Sequence, residues 1–121
     1  MSQDISKLPP QLQERLLRLQ QLQQTLQTIL AQKQQVELEL TEIEQAQSEL
    51  LKLAEDSVIY KSIGSLLVKD KKARVTDDLN ERKELLNTRA TVLGRQEERL
   101  RGQLKSLQTK IQKDLRPISS S

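Results

Sequence analysis

The stretch that decides the fold runs from residue 57 to residue 69 and reads Ser57-Val58-Ile59-Tyr60-Lys61-Ser62-Ile63-Gly64-Ser65-Leu66-Leu67-Val68-Lys69. It interrupts the helical pattern on either side of it and is rich in β-branched and aliphatic residues, with Ile63-Gly64 between two short apolar runs. This composition predicts a β-hairpin over residues 57–69.

The predicted hairpin carries apolar side chains on both faces, because strand side chains alternate and adjacent positions are apolar. A two-stranded ribbon is marginal in water and leaves its edges open to pairing. We therefore expect the hairpin to join strands of other subunits in a sheet or barrel. The predicted interface residues are Val58, Ile59, Tyr60, Ile63, Leu66, Leu67 and Val68. The alternative is a hairpin that folds back on its own helices.

Two long helical runs flank the hairpin, from about residue 11 to 53 and from about residue 77 to 115, and a tail covers residues 116–121. Pro9-Pro10 suits a helix start, and Pro117 predicts a helix end. Asp78, with Glu81 three residues later, resembles a capping box, and Thr76-Asp77 offers competing caps.

The two runs carry matching apolar heptads, and their positions pair as an antiparallel hairpin requires. Pairs whose numbers add up to 129 are Leu50 with Leu79, Ile43 with Leu86, Val36 with Leu93, Ile29 with Leu100 and Leu22 with Leu107. Pairs that add up to 130 are Leu40 with Ala90, Lys33 with Glu97, Leu26 with Leu104 and Leu19 with Ile111. We interpret Lys33 and Glu97 as a pair that fixes the register. Alternatively, both charges extend outward from a loose seam.

The predicted fold is thus mostly α, one domain over residues 1–121 in which a long antiparallel two-helix coiled coil carries one β-hairpin at the helix connection. Composition agrees, because 31% charged residues and a single aromatic, Tyr60, are poorly suited to a globular core.

Several functional classes are disfavoured by composition. The chain has no Cys or His and only three glycines, which argues against an enzyme, a nucleotide-binding loop, a cofactor or a metal site. Asp77-Asp78 suits a helix start better than a cation. The net charge of +3 is mild, and no membrane span or signal peptide is recognisable. We expect a cytoplasmic protein that binds neither nucleic acid nor membrane.

More aliphatic residues gather near the two termini than a two-helix seam uses. They are Ile5, Leu8, Leu12, Leu16, Leu17, Ile111, Leu115 and Ile118. Leu16, Leu17 and Ile118 fall off the seam positions, so an exposed apolar binding surface is expected at the tips of the helices. The alternative is that the terminal segments fold over and cover these residues.

Four stretches carry a resemblance to a known family. They are Leu8-Pro9-Pro10-Gln11-Leu12-Gln13, Tyr60-Lys61-Ser62-Ile63-Gly64-Ser65-Leu66-Leu67-Val68-Lys69, Arg95-Gln96-Glu97-Glu98 and Leu115-Arg116-Pro117. Together they resemble the β-type subunit of archaeal prefoldin over essentially the whole chain. A single hairpin fits the β type, since the α type carries two.

The resemblance implies a hexamer of two α and four β subunits whose hairpins form β-barrels. It also implies ATP-independent capture of unfolded polypeptides at the tips of the coiled coils and transfer to a group II chaperonin. The alternative function is a coiled-coil scaffold or adaptor subunit that joins specific folded partners. A third reading, a nucleic-acid-associated coiled coil, requires binding that weakens steeply with salt.

Overall fold

The computed structural model describes the backbone of residues 7–119 and the side chains of residues 7–116. Helix α1 spans Pro10–Leu51, strands β1 and β2 span Ile59–Ile63 and Leu66–Asp70, and helix α2 spans Lys72–Ser119. Two long helices with a hairpin between them confirm the predicted mostly-α fold class.

The chain comprises two compact units. The terminal unit contains residues 1–32 and 93–121, and the hairpin unit contains residues 33–92. Each unit includes part of both long helices, and the hairpin unit also includes the two strands.

Helix α1 starts at the proline pair, as predicted. Pro10 is its first residue, and the Pro9 carbonyl accepts the first helical hydrogen bond from the Gln13 N–H at 3.1 Å. The Gln13 side-chain amide also donates to the Leu8 carbonyl at 2.7 Å. Proline suits the first helical position because its missing N–H would have no partner there.

Helix α1 ends at Leu51, two residues before the predicted end. The next two N–H groups, of Lys52 and Leu53, donate to the carbonyls of Glu49 and Leu50, three residues back, at 3.2 and 3.1 Å. The helix therefore tightens into a 3₁₀-like turn, which satisfies carbonyls that the α-helix leaves open.

Helix α2 starts at Lys72, and the predicted start at residue 77 is wrong. The Asp70 carboxylate accepts the Lys71 N–H at 2.8 Å, and the Lys71 carbonyl accepts the first helical bond from the Val75 N–H at 3.0 Å. Residues 76–78 therefore lie inside the helix, so the predicted capping box of Asp78 is also wrong. Instead, the Asp70 carboxylate at the end of β2 stabilises the start of the helix.

Helix α2 extends to Ser119, so the predicted end before Pro117 and the predicted non-helical tail from residue 116 are wrong over the described residues. Pro117 lies in the last turn of α2, where the one hydrogen bond that proline gives up interrupts little of the helix. Residues 120–121 lie outside the described part of the chain.

The hairpin is antiparallel, with Ile59 opposite Asp70 and Ile63 opposite Leu66. Its two-residue turn is Gly64-Ser65, one position beyond the predicted Ile63-Gly64, and the strands begin and end accordingly. Gly64 has a φ of +57° at the first turn position, as a type II′ turn requires. Because β1 begins at Ile59, Ser57 and Val58 precede the strand rather than belong to it.

The apolar core follows the predicted seam in both units. In the terminal unit, one cluster joins the predicted pairs Leu22 with Leu107, Leu26 with Leu104 and Ile29 with Leu100. Ile43, Leu50 and Leu86 are buried in the hairpin unit. The predicted heptad positions of both helices therefore share one apolar cluster in the terminal unit, while the exact pairing stays a prediction.

Candidate functional site

The seven predicted interface residues of the hairpin are fully or partly exposed to solvent. We call them the hairpin surface. Six are exposed, from 43% for Val68 to 72% for Leu67, and Ile59 is partly exposed. The alternative in which the hairpin folds back on the helices of its own chain is therefore wrong.

The strand register places apolar side chains on both faces of the hairpin. Opposite residues share a face, so Val68, Ile63 and Leu66 lie on one side, with Ile59. Tyr60 and Leu67 lie on the other side. Each face is therefore apolar, so a partner that covered one face would leave the other face exposed to solvent.

One side-chain contact ties the first of these faces to α2. The Lys61 ammonium donates to the Asp78 carboxylate at 3.1 Å, and both side chains remain nearly half exposed. An ion pair this exposed stabilises by about 1 kcal/mol at most. It orients the hairpin against the helix without covering its apolar residues.

The predicted tip residues fall into three groups. Leu12 and Ile111 are buried in the seam, at 1% and 7% exposure. Leu17 and Leu115 are exposed, at 60% and 39%, while Leu8 and Leu16 are partly exposed. Ile5, and the side chain of Ile118, lie outside the described residues.

We call Leu8, Leu16, Leu17 and Leu115 the terminal apolar surface. All four belong to the terminal unit, and Leu16 and Leu17 lie off the seam as predicted. Their exposure offers apolar area that the two-helix packing does not use. Contact with a client by any of the predicted tip residues stays a prediction.

An ion pair that the sequence interpretation missed lies beside this surface. The Arg15 guanidinium donates to the Asp114 carboxylate, and each side chain is about three-quarters buried, at 24% and 25% exposure. The two residue numbers add up to 129, so the pair continues the apolar series at two seam positions. Extending the same arithmetic beyond Leu22 and Leu107 would have revealed it.

This ion pair places Leu16 and Leu115 at the same level, since each directly follows one of its members. Partial burial also makes the pair selective, because a shifted helix would leave a charge without its partner. The pair therefore holds the two helices in register next to the exposed leucines.

The other predicted register pair has a different outcome. Lys33 belongs to the hairpin unit and Glu97 to the terminal unit, and both are partly buried. Glu97 accepts a hydrogen bond from Arg101 of the same helix at 2.8 Å. Pairing of Lys33 with Glu97 stays a prediction.

Two findings concern clusters of metal-ligand side chains and membrane-spanning helices among the described residues. These residues contain no group of three or more carboxylates close enough to share a metal ion. No helix in this part of the chain combines the length and apolarity needed to span a bilayer.

Comparison with known proteins agrees with this architecture. The family model described as "Prefoldin subunit" matches residues 13–117. Prefoldin subunit beta of Thermococcus onnurineus is 46% identical over 115 residues, which cover 95% of this chain and 99% of that protein. The Archaeoglobus fulgidus prefoldin subunit beta is 44% identical over 113 residues, covering 93% and 97%.

A solved structure is similar in fold as well as in sequence. The crystal structure of the prefoldin beta subunit from Thermococcus strain KS-1 superposes with a TM-score of 0.82 at 44% identity, covering 96% of this chain and 99% of that one. Prefoldins are chaperones rather than enzymes. With two helices, one intervening hairpin and matches along nearly its whole length, this chain belongs to the prefoldin family of chaperone subunits, as a member of the beta type.

Proposed function

We propose that this chain holds non-native polypeptides through its terminal apolar surface, without ATP, and delivers them to a group II chaperonin. The observation that carries the proposal is the exposure of Leu17 and Leu115, at 60% and 39%, beside a seam in which Leu12 is buried. Membership in a chaperone family supports this function over the scaffold alternative.

Weak apolar contacts suit a holding function. Each fully buried leucine contributes roughly 1.5–3 kcal/mol, so one contact gives little affinity. Several contacts made by several subunits at once raise the effective concentration of the client. Aliphatic side chains on helices also impose no backbone pattern on the client, which allows many sequences to bind.

In this proposal, the hairpin mediates assembly with other subunits. The hairpin surface has two apolar faces and open strand edges, and both features favour pairing with strands of other subunits. The proposed assembly contains two α-type and four β-type subunits, with this chain as a β-type subunit. We propose that it works in the cytoplasm.

The buried tip residues support the surface rather than form it. Leu12 and Ile111 lie in the seam beneath the exposed leucines. Polar replacement there is expected to weaken the helix pair first and client binding second. Leu17 and Leu115 are therefore the better residues for testing client contact.

The test is an aggregation assay with a chemically denatured model protein and no nucleotide, together with a mass measurement of the chaperone. The chain is added alone and with an α-type subunit. Suppressed aggregation by a hexamer is the expected result. A well-formed hexamer that leaves aggregation unchanged would contradict the holding function and favour the scaffold.

A further inference from the structure

Charge is divided unequally between the two units. The terminal unit has ten basic and five acidic residues, a net charge of +5, whereas the hairpin unit has ten basic and twelve acidic residues, a net charge of −2. The mild overall charge of +3 therefore conceals a strongly basic region. This region also carries the terminal apolar surface.

The positive charge concentrates around an open groove of about 530 Å³ between the two helices of the terminal unit. Arg18 of α1 lines one side, and Arg99 and Lys110 of α2 line the other. Gly102 also lines the groove, and a Cβ atom built there would meet nothing within 4 Å. A neighbouring depression adds Lys105 and Lys113. We call these five cations the basic groove.

The cations of the basic groove are not neutralised by the described part of the chain, where none of the five forms an ion pair with a carboxylate. Two other arginines of the terminal unit do form ion pairs, Arg15 with Asp114 and Arg101 with Glu97. Clustered cations without counter-charges create a positive potential that favours an anionic ligand.

The basic groove and the terminal apolar surface flank the seam on opposite sides. Arg18 and Lys110 each precede a seam residue, Leu19 and Ile111. Leu16 and Leu115 each follow one, Arg15 and Asp114. In an antiparallel pair, residues before the seam positions face one side and residues after them face the other. One client chain can therefore contact both surfaces by crossing the helix pair.

We infer that the basic groove binds acidic segments of non-native polypeptides while the terminal apolar surface holds neighbouring apolar segments. The inference rests on the proposed holding function and specifies its preferred clients. Polypeptide fits better than nucleic acid, because single-strand binding relies on aromatic stacking and the only aromatic residue, Tyr60, is in the hairpin.

The test uses the full chain assembled with its α-type partner and three fluorescent, unstructured peptides. All three share one apolar centre, flanked by glutamates, glutamines or lysines. Fluorescence anisotropy gives each dissociation constant. With two or three exposed charge pairs, the acidic peptide is expected to bind about three- to tenfold more tightly than the neutral one, and the lysine peptide more weakly.

The variant is Arg99→Gln with Lys110→Gln, which retains long helix-forming side chains while removing two charges from the groove. Its matched control is Lys71→Gln with Arg89→Gln, two exposed cations of the hairpin unit. The groove variant should bind acidic and neutral peptides within about twofold of each other. The control should keep the full preference for acidic peptide. Raising the salt concentration should reduce that preference in the control and in the unmodified protein.

Equal binding of acidic and neutral peptides by the unmodified protein would overturn this inference alone. So would a preference for acidic peptide that survives in the groove variant. Failure of all three peptides to bind would overturn the proposed holding function itself. A single-stranded oligonucleotide could displace the bound acidic peptide at a lower concentration than unlabelled acidic peptide does. If the groove variant lost this displacement, the groove would be reassigned to nucleic acid.

Discussion

The hairpin unit and the terminal unit both expose leucines, but the backbone behind those leucines differs. In the hairpin, each strand has one paired edge and one edge whose N–H and C=O groups point away from the partner strand. In α1 and α2, the helix satisfies its own backbone groups along its length. Exposed side chains on a strand edge therefore come with a directional requirement, and those on a helix do not.

This difference separates two kinds of binding. A strand edge selects another strand at a defined spacing and register, which suits permanent assembly. A helical surface with exposed aliphatic side chains accepts any apolar segment and fixes no register, which suits a changing set of clients. Four variants test the comparison.

The largest effect is expected for Leu67→Asp, in the hairpin. Leu67 is 72% exposed in the chain, and its burial in an assembly would be lost while a carboxylate is desolvated. We expect a loss of at least about 3 kcal/mol per hairpin, or more than about a hundredfold in association. Light scattering after size exclusion should show dissociation with unchanged helical circular dichroism.

The control is Leu85→Asp, on α2 of the same unit and 64% exposed. It should leave the assembly intact. Dissociation by both variants would mean that general apolar exposure drives assembly, and the distinction between strand and helix would fail.

A smaller effect is expected for Leu12→Ala, which creates a cavity in the seam of the terminal unit. Leu12 is 1% exposed, and comparable buried leucine truncations cost about 2–5 kcal/mol. Because Leu12 lies near the start of α1, we expect the lower end of that range. Chemical unfolding monitored by circular dichroism measures it. Stability within about 0.5 kcal/mol of the unmodified protein would show that this end of the seam is not a core.

Replacing both exposed leucines, Leu17→Ser with Leu115→Ser, should reduce client holding while stability stays nearly constant. Removing two apolar contacts of roughly 1 kcal/mol each predicts about a tenfold or greater rise in the chaperone concentration needed to suppress aggregation. Leu38→Ser with Leu85→Ser, two exposed leucines of the hairpin unit, is the matched control. If both double variants lost holding activity equally, the terminal apolar surface would have no special role in client binding.

The smallest effect is expected for Asp114→Ala, which leaves Arg15 without its partner in a partly buried site. We expect a loss of about 1 kcal/mol, reduced at high salt. Glu98→Ala, at an exposed position of the same helix, should cost less than about 0.5 kcal/mol. Equal costs would mean that the ion pair contributes no more than a surface charge.

Much of the fold could be predicted because its signals are periodic or local. Seven-residue spacing identified the seam, and constant sums such as that of Leu26 and Leu104 aligned the helices. The start of α2 was misplaced because the capping side chains at residues 76–78 were preferred over Asp70. Its role as the stabilising carboxylate depends on where β2 ends. The Arg15 and Asp114 pair was missed because the series of pairs that add up to 129 was not extended beyond Leu22 and Leu107.

By itself, the sequence determined the order helix, hairpin, helix and the heptad positions of the apolar seam, because both follow from spacing along the chain. Only the tertiary structure decided which apolar residues near the termini are available to a partner. Leu16 and Leu17 are adjacent leucines that both lie off the seam positions, yet Leu16 is partly buried and Leu17 is 60% exposed. The physical reason is that burial depends on the direction of a side chain relative to the second helix, and α2 supplies that direction from about a hundred residues away.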